Sequence, residues 1–596
     1  MRISSRSDRF AIDRRKFLTR SAGAASLLGL GHTLPAWARG SRSGTVAYKG
    51  SDVLSGEHMT MSVADASFAT GSRHGPAVTV NGTLPGPLLR LREGQNLVVD
   101  LENSSSMGTS IHWHGLLVPF LMDGVPGVTM AAVEPGERFR YQFPIRQSGT
   151  YWWHAHTLQE PMGHYGPIII DPAGGDPHQV DRDYVVMLSD WSPMDPHTLI
   201  KKLKVGEAPF NFQKTTATDD YPLSGADRRM WARMRMMPTD IADVSAPLYS
   251  YLLNGHGPED GLEFAFNPGE RVRLRFINGS AMTFFNVRIP GLPMTVIAAD
   301  GQDVRPVEVD EFQIGNAETY DVIVEPTGMD AFTIVAEAMD RSGMGLAMLT
   351  SRAGARAAVP ALRDPPLLTM ADMGMNHGSS AGAMDHGAMA GMDHGSSDFM
   401  EGSMDMGSMS MRHISLLPPS VKVGPGIDMV SMNPVDRMGD PGIGLTEVDH
   451  RVLNYKQLVA AKMNPDMRRP TRLKEIHLTG NMERYMWSFD GQKFSAVTDD
   501  PIRFAFNERV RVKLVNDTMM AHPIHLHGHF FELVNDAPHG HQPLKHTVIV
   551  QPGGSAQFDL TANEPGDWAF HCHLIYHMHS GMFQVVTVRP LQGGEG

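Results

Sequence analysis

One ten-residue pattern, written three times, constrains the fold of this chain more than any other feature. Residues Gly94–Asn103 alternate apolar and polar side chains, as a half-buried strand does. Gly269–Asn278 repeats the alternation and Asn507–Asn516 repeats it again, each copy ending in an asparagine. Three copies of one strand predict three related β domains. The copies begin 175 and then 238 positions apart, so an insertion of roughly 60 residues is expected ahead of the third domain.

Counting onward from each asparagine separates the domains by chemistry. His112 and His114 stand nine and eleven residues beyond Asn103, and His525 and His527 stand at the same offsets beyond Asn516. Beyond Asn278 these offsets fall on Val287 and Ile289. Gly149 precedes His154-Ala155-His156 by the spacing that separates Gly566 from His571-Cys572-His573. In the second domain Gly328 is the expected counterpart, and it leads to Thr333-Ile334-Val335. Domains 1 and 3 therefore carry ligand pairs, and domain 2 reads as a metal-free spacer. An i, i+2 pair on a strand aims both imidazoles to one side. Four such pairs supply eight histidines, enough for a three-metal cluster where domains 1 and 3 meet.

Cys572 is the only cysteine, which excludes an internal disulfide. Along its strand His571 and His573 share one face, and Cys572 shares the other with Phe570 and Trp568. His577 and Met582 follow. One thiolate, one imidazole and a distant thioether suit a blue-copper electron-transfer site that needs a second histidine from elsewhere. Ala155 holds the place of Cys572 in domain 1, so that domain carries no such centre.

Composition bounds the rest. Of 596 residues 41% are hydrophobic and 20% charged, a globular balance with room for about three domains. The net charge of −13 argues against a nucleic-acid partner. The 41 methionines and 28 histidines are an excess of copper-type ligands. Arg14 and Arg15, the small and apolar run Ser21–Leu30, and Ala36-Trp37-Ala38 read as a twin-arginine signal peptide over residues 1–38. That run is too short for a membrane span, and no later segment approaches about 20 apolar residues. A periplasmic protein is expected.

Together the paired histidines, His522-Pro523-Ile524-His525-Leu526-His527-Gly528 and the stretch from His571 to Met582 resemble the signatures of the multicopper oxidase family, in the family's order. Asn81–Pro87 and Gly149–His154 match it as well. Pro238–Asp243 and Ala299–Val304, ahead of a Met-rich insert, are most similar to the bacterial copper-resistance oxidases of that family. The resemblance implies an all-β fold of three cupredoxin-like Greek-key domains. These are expected at 45–175, 180–355 and 413–596, the last with a lead-in segment. It also implies four copper ions. The type 1 ion takes His522, Cys572, His577 and an axial Met582, and the type 2 ion takes His112 and His525. The type 3 pair takes His114, His154, His156, His527, His571 and His573. Asp123, which matches a family acid near the type 2 site, would relay protons, although Asp123-Gly124 equally suits a turn. Met578 stands where some relatives place a second acid, and Glu564 is nearby in sequence.

Between 369 and 412 periodicity gives way to Met, Gly, Ser, His and Asp. Met384-Asp385-His386-Gly387 recurs as Met392-Asp393-His394-Gly395, and Met404, Met406, Met409 and Met411 follow. Such a segment is expected to be disordered and to bind additional labile Cu(I) through thioethers and imidazoles.

Three functions fit. The first is an O2-reducing oxidase of Cu(I) that serves copper tolerance. The second is a laccase-like oxidase of phenols or other small organic reductants, and the third a copper-sequestering protein. A complete ligand set argues against the third, and the Met-rich insert favours the first. Expected partners are O2, the reductant, periplasmic copper-handling proteins and the twin-arginine export machinery.

Overall fold

The computed structural model describes residues 52–206, 208–213, 223–234, 236–375, 413–495 and 500–590. The expected leader at 1–38 and the accessory ligands Met384, His386, Met392, His394, Met404, Met406, Met409 and Met411 lie outside them. Among the described residues no helix is long and apolar enough to cross a membrane.

The repeated pattern forms the strands Asn96–Asn103, Val272–Asn278 and Arg509–Asn516. Each copy begins on a left-handed residue, Gly94 (φ 88°), Gly269 (φ 85°) and Asn507 (φ 63°), which turns the chain into the strand. Each closing asparagine does the same work. The Asn103 amide donates to the carbonyls of Met107 (2.8 Å) and Val133 (2.7 Å). Asn278 donates to Thr283 (2.9 Å) and Ile314 (3.1 Å), and Asn516 to Met520 (2.7 Å) and Val550 (3.0 Å). One side chain thus pins the loop that leads into the next strand, and in domains 1 and 3 that strand carries the histidine pair.

Around these strands the chain builds six sheets, two per repeat. In domain 3 one sheet runs Met486–Phe489, Arg472–Asn481, Arg509–Asn516, Ser555–Thr561, Phe531–Leu533 and Leu544–Lys545. Its companion runs Ile502–Ala505, Phe583–Arg589, Gly566–Cys572, His522–Leu526 and Thr547–Val550. Domain 2 repeats both orders with its own strands. The architecture is three cupredoxin-like domains, all β.

Two expectations change in detail. The domain 1 copy alternates between buried and half-buried positions, but Val272–Asn278 is buried throughout. Its polar side chains Arg273 and Arg275 face Asp183, and Arg275 also reaches Asp321 (3.0 Å) and Thr150 of domain 1 (2.7 Å). Packing against domain 1 covers the face that a lone sandwich leaves wet. The counterpart of Gly149 and Gly566 is Ala331, not Gly328. Pairing sets the register: His112 lies opposite His154, His525 opposite His571, and Val287 opposite Ala336. The domain 2 positions are therefore Ala336 and Ala338, three residues beyond those expected, with Glu337 between them. They carry no ligand either.

One hydrophobic core runs through domains 2 and 3, while most of domain 1 has a core of its own around Trp113, Tyr141 and Trp153.

Candidate metal centre

Strand pairing brings the four histidine pairs to one interface. Each pair lies on or just beyond a strand end, and domains 1 and 3 turn these ends toward each other. His156 Nε2 is 3.2 Å from His571 Nε2, which is 3.0 Å from His527 Nε2. His114, His154 and His573 form a second triad, and His112, His114 and His525 a third group, with ligand atoms in each within 4.8 Å of one another. His112 stacks on His527 and His114 on His525, both at 3.8 Å between ring centres. Every group mixes the two domains, so neither domain holds the site alone.

The outer nitrogens are tied down. His112 Nδ1 lies 2.7 Å from the Asp123 carbonyl, His525 Nδ1 2.7 Å from the His546 carbonyl, and His571 Nδ1 3.0 Å from the Cys572 carbonyl. The inner nitrogens are not. His112 Nε2, His114 Nδ1, His154 Nε2, His525 Nε2 and both ring nitrogens of His573 are buried without a hydrogen-bond partner. Leaving one such atom unsatisfied costs about 1–3 kcal/mol, so several together mark a place shaped for a cation. Burial first, and neighbouring imidazoles second, hold His114, His156, His525 and His527 well below the ordinary histidine range. Burial pushes His571 down to about 3. Neutral, converging imidazoles are the donor set a borderline metal requires.

The second centre is built on the Cys572 strand. Cys572 Sγ is 3.5 Å from His522 Nδ1 and 3.9 Å from His577 Nδ1, and the two nitrogens are 3.3 Å apart. Cys572 stands opposite Ile524, two residues beyond His522 on the paired strand. The short helix Ile575–His579 folds His577 back over it, closed by Met582 N–H donating to the His577 carbonyl (3.0 Å). Met582 is fully buried, and its carbonyl accepts from Cys572 N–H (3.1 Å). Burial pushes the Cys572 thiol up, so a thiolate here needs a metal to hold its charge.

Several contacts are absent from the sequence reading. Asp243 of domain 2 takes His577 Nε2 at 2.8 Å and the Tyr485 hydroxyl at 2.9 Å. Trp487 stacks on His577 at 3.8 Å, and Thr518 holds His522 Nε2 at 2.7 Å. Glu160 sits 2.7 Å from His154 Nδ1. Asp243 and Glu160 do carry local signals, one inside Pro238–Asp243 and the other four residues past His156. Trp487 and Thr518 have no local signal.

Asp123 is fully buried, with Oδ2 2.8 Å from His527 Nδ1 and Oδ1 3.3 Å from His112 Nδ1. It is also a turn residue: its N–H donates to the Phe120 carbonyl (3.1 Å), and Gly124 follows in the left-handed region (φ 82°). Glu564 is bonded instead to Arg146, at 2.7 Å.

Family models described as multicopper oxidase match residues 62–174, 182–353 and 467–592. The copper resistance protein A of Escherichia coli is 45% identical over 94% of this chain and 97% of its own length. The chain belongs to the multicopper oxidase family. Copper resistance protein A of Pseudomonas syringae pv. tomato is likewise 45% identical, over 96% of this chain and 99% of its own. The solved structure of Fet3p, a multicopper oxidase that functions in iron import, superposes with a TM-score of 0.63 at 18% identity, over 90% of each chain. As a multicopper oxidase the protein is an oxidoreductase, the family implies copper, and the histidine clusters fit it.

Proposed function

We propose that the protein is a periplasmic oxidase that takes single electrons from Cu(I) and uses four of them, with four protons, to reduce O2 to two waters, serving copper tolerance. Within this reading the domains divide at 45–175, 180–355 and 413–596. His522, Cys572 and His577, together with Met582, would hold the type 1 ion, and His112 and His525 would hold the type 2 ion. The type 3 pair takes His114, His154, His156, His527, His571 and His573. Four bound ions would supply one-electron acceptance at Cys572 and a multi-electron reservoir for O2.

One observation carries the reading. Three consecutive residues serve three clusters: His571 belongs to the triad with His156 and His527, His573 to the triad with His114 and His154, and Cys572 to the pair His522 and His577. A storage site has no use for such a covalent bridge between an electron-entry thiolate and two histidine triads. Around it the chain excludes water, since every one of these ligands is buried. Asp123 fixes His527 and stands ready to move protons.

Cuprous rather than organic oxidation is favoured by the outer edge of His577, which is buried and already taken by Asp243. The copper resistance proteins named above and the Met-rich insertion point the same way. The expected carriers outside the protein are the twin-arginine machinery and periplasmic copper-handling proteins.

The test compares copper-loaded wild type with Cys572→Ser. Wild type is expected to consume one O2 per four Cu(I), faster than with a phenol. Cys572→Ser is expected to lose blue absorption and turnover while retaining most of its remaining copper. A serine variant with native turnover would sink the assignment. Faster oxidation of the phenol would favour the laccase reading.

A further inference from the structure

Trp487 lies flat on His577, with ring centres 3.8 Å apart and planes 21° from parallel. It stands at 70° to the ring of His522, 5.3 Å away. The indole is fully buried, and its Nε1–H meets no partner.

A buried tryptophan is ordinarily a core filler, because it removes a large apolar area from water. The seat of this one is more particular. Trp487 belongs to the edge strand Met486–Phe489 and stands opposite Gly480. A side chain on Gly480 would meet the indole at 2.7 Å, so the ring rests against bare backbone. A side chain on Gly581 would meet the Trp487 carbonyl at 2.5 Å. Gly581 precedes Met582, so the strand that carries the indole also presses on the loop that carries the thioether. The rest of His577 is committed elsewhere. Its Nδ1 faces Cys572 and His522, and its Nε2 meets Asp243. What the indole adds is its face.

Ring faces carry negative potential, and aromatic pairs usually keep their centres about 4.5–7 Å apart. The closer, nearly parallel stack on His577 favours an imidazole that is short of electrons. An imidazole bound to Cu(II) is shorter of electrons than one bound to Cu(I).

We propose that Trp487 is a positioning residue of the His522–Cys572–His577 cluster, whose indole face stabilises oxidised copper there and lowers the reduction potential. The inference rests on the type 1 assignment above and names what tunes that ion besides Met582. The couple is Cu(II) plus one electron to Cu(I), and the stack biases it toward Cu(II). A lower potential at this point leaves more driving force for passing each electron on to the histidine triads.

The test is a reductive titration of copper-loaded full-length protein, followed by blue absorption, in wild type, Trp487→Leu and Trp487→Phe. Trp487→Leu is expected to shift the equilibrium toward Cu(I) by about tenfold, a rise of about 59 mV for one electron. Trp487→Phe keeps a weaker π face and is expected to fall between the other two. Copper content and the intensity of blue absorption are expected to stay at the wild-type level. Should Trp487→Leu fail to hold copper, the phenylalanine variant decides alone. A shift under about twofold in every variant that holds copper, or any shift toward Cu(II), overturns the proposal and leaves the indole as a space filler. A copper-loaded wild type without blue absorption overturns the type 1 assignment instead.

Discussion

Two buried carboxylates hold imidazoles of the two histidine triads from behind. Asp123 Oδ2 reaches His527 at 2.8 Å, in the triad with His156 and His571. Glu160 Oε2 reaches His154 at 2.7 Å, in the triad with His114 and His573. A carboxylate on the outer nitrogen fixes both the tautomer and the ring orientation, and removing one costs about 10–100-fold in metal affinity or activity. Glu160→Ala is therefore expected to lose copper to a graded chelator at about 10–100-fold lower chelator strength, while the blue absorption of the Cys572 site persists. Glu160→Gln, which keeps an acceptor oxygen, should fall between the two. Copper content unchanged at every chelator concentration would show that Glu160 only fills space. Trp152, stacked on His154 at 4.3 Å, braces the same ring from its face.

At the scale of the element, a strand acts through what its end is tied to. Arg472–Asn481 runs beside Arg509–Asn516, and from it His477 Nδ1 reaches Asp517 Oδ2 at 2.6 Å. Asp517 in turn accepts from Ser431 N–H at 2.9 Å, in the segment that leads into domain 3. The loop held this way carries Thr518, Met520 and His522. Burial on its own would lower His477, but Asp517 and then Glu475 outweigh it and raise its pKa. A histidine whose folded pKa is raised contributes its stability in full below its unfolded value near 6.5 and loses it as pH climbs through the folded value. Denaturant midpoints of wild type and His477→Gln are expected to differ most at acidic pH and to converge as pH rises above neutrality. A gap that is constant with pH would mean that the pair acts through packing alone.

Across the whole molecule the centre is an interface, and buried charge locks the domains that frame it. Lys545 of domain 3 is fully buried, 3.0 Å from Asp300 Oδ1 and 3.0 Å from Glu318 Oε1 of domain 2. Asp300 Oδ2 also accepts from His546 N–H and Thr547 N–H, each at 3.1 Å. Lys545 is thus the hinge pin between the second domain and the residues that flank His525. Breaking a buried pair leaves an uncompensated charge and costs roughly 3–5 kcal/mol. Lys545→Met is expected to lower stability by about that amount, read as a fall in the thermal midpoint with loss of copper from the histidine clusters. A midpoint unchanged from wild type would show that Asp300 and Glu318 find other partners. Domain 2, which among the described residues adds no side chain to these histidine clusters, contributes by holding domain 3 against domain 1 and by placing Asp243 on His577.

The repeated strand, the closing asparagines and the paired histidines were legible because each is a local pattern. Alternation has a fixed period of two, and an i, i+2 pair needs only a strand to face one way. The domain 2 positions that match the second histidine pair were misplaced by three residues, because a glycine served as the landmark. Register follows hydrogen-bonded pairing with a neighbour, not distance from a turn. The ligand sets named for each metal came from family resemblance, because no local rule says that His522 meets Cys572 from fifty residues away. Asp243, Glu160, Trp487 and Lys545 needed the folded molecule. Their partners are between six and 334 residues distant, and burial, which turns a common side chain into a holder of imidazole or charge, exists only once the domains have closed on one another. Cys572 shows the division most clearly. Its flanking histidines are a fact of sequence, while the two triads that they complete are a fact of the interface between domains 1 and 3.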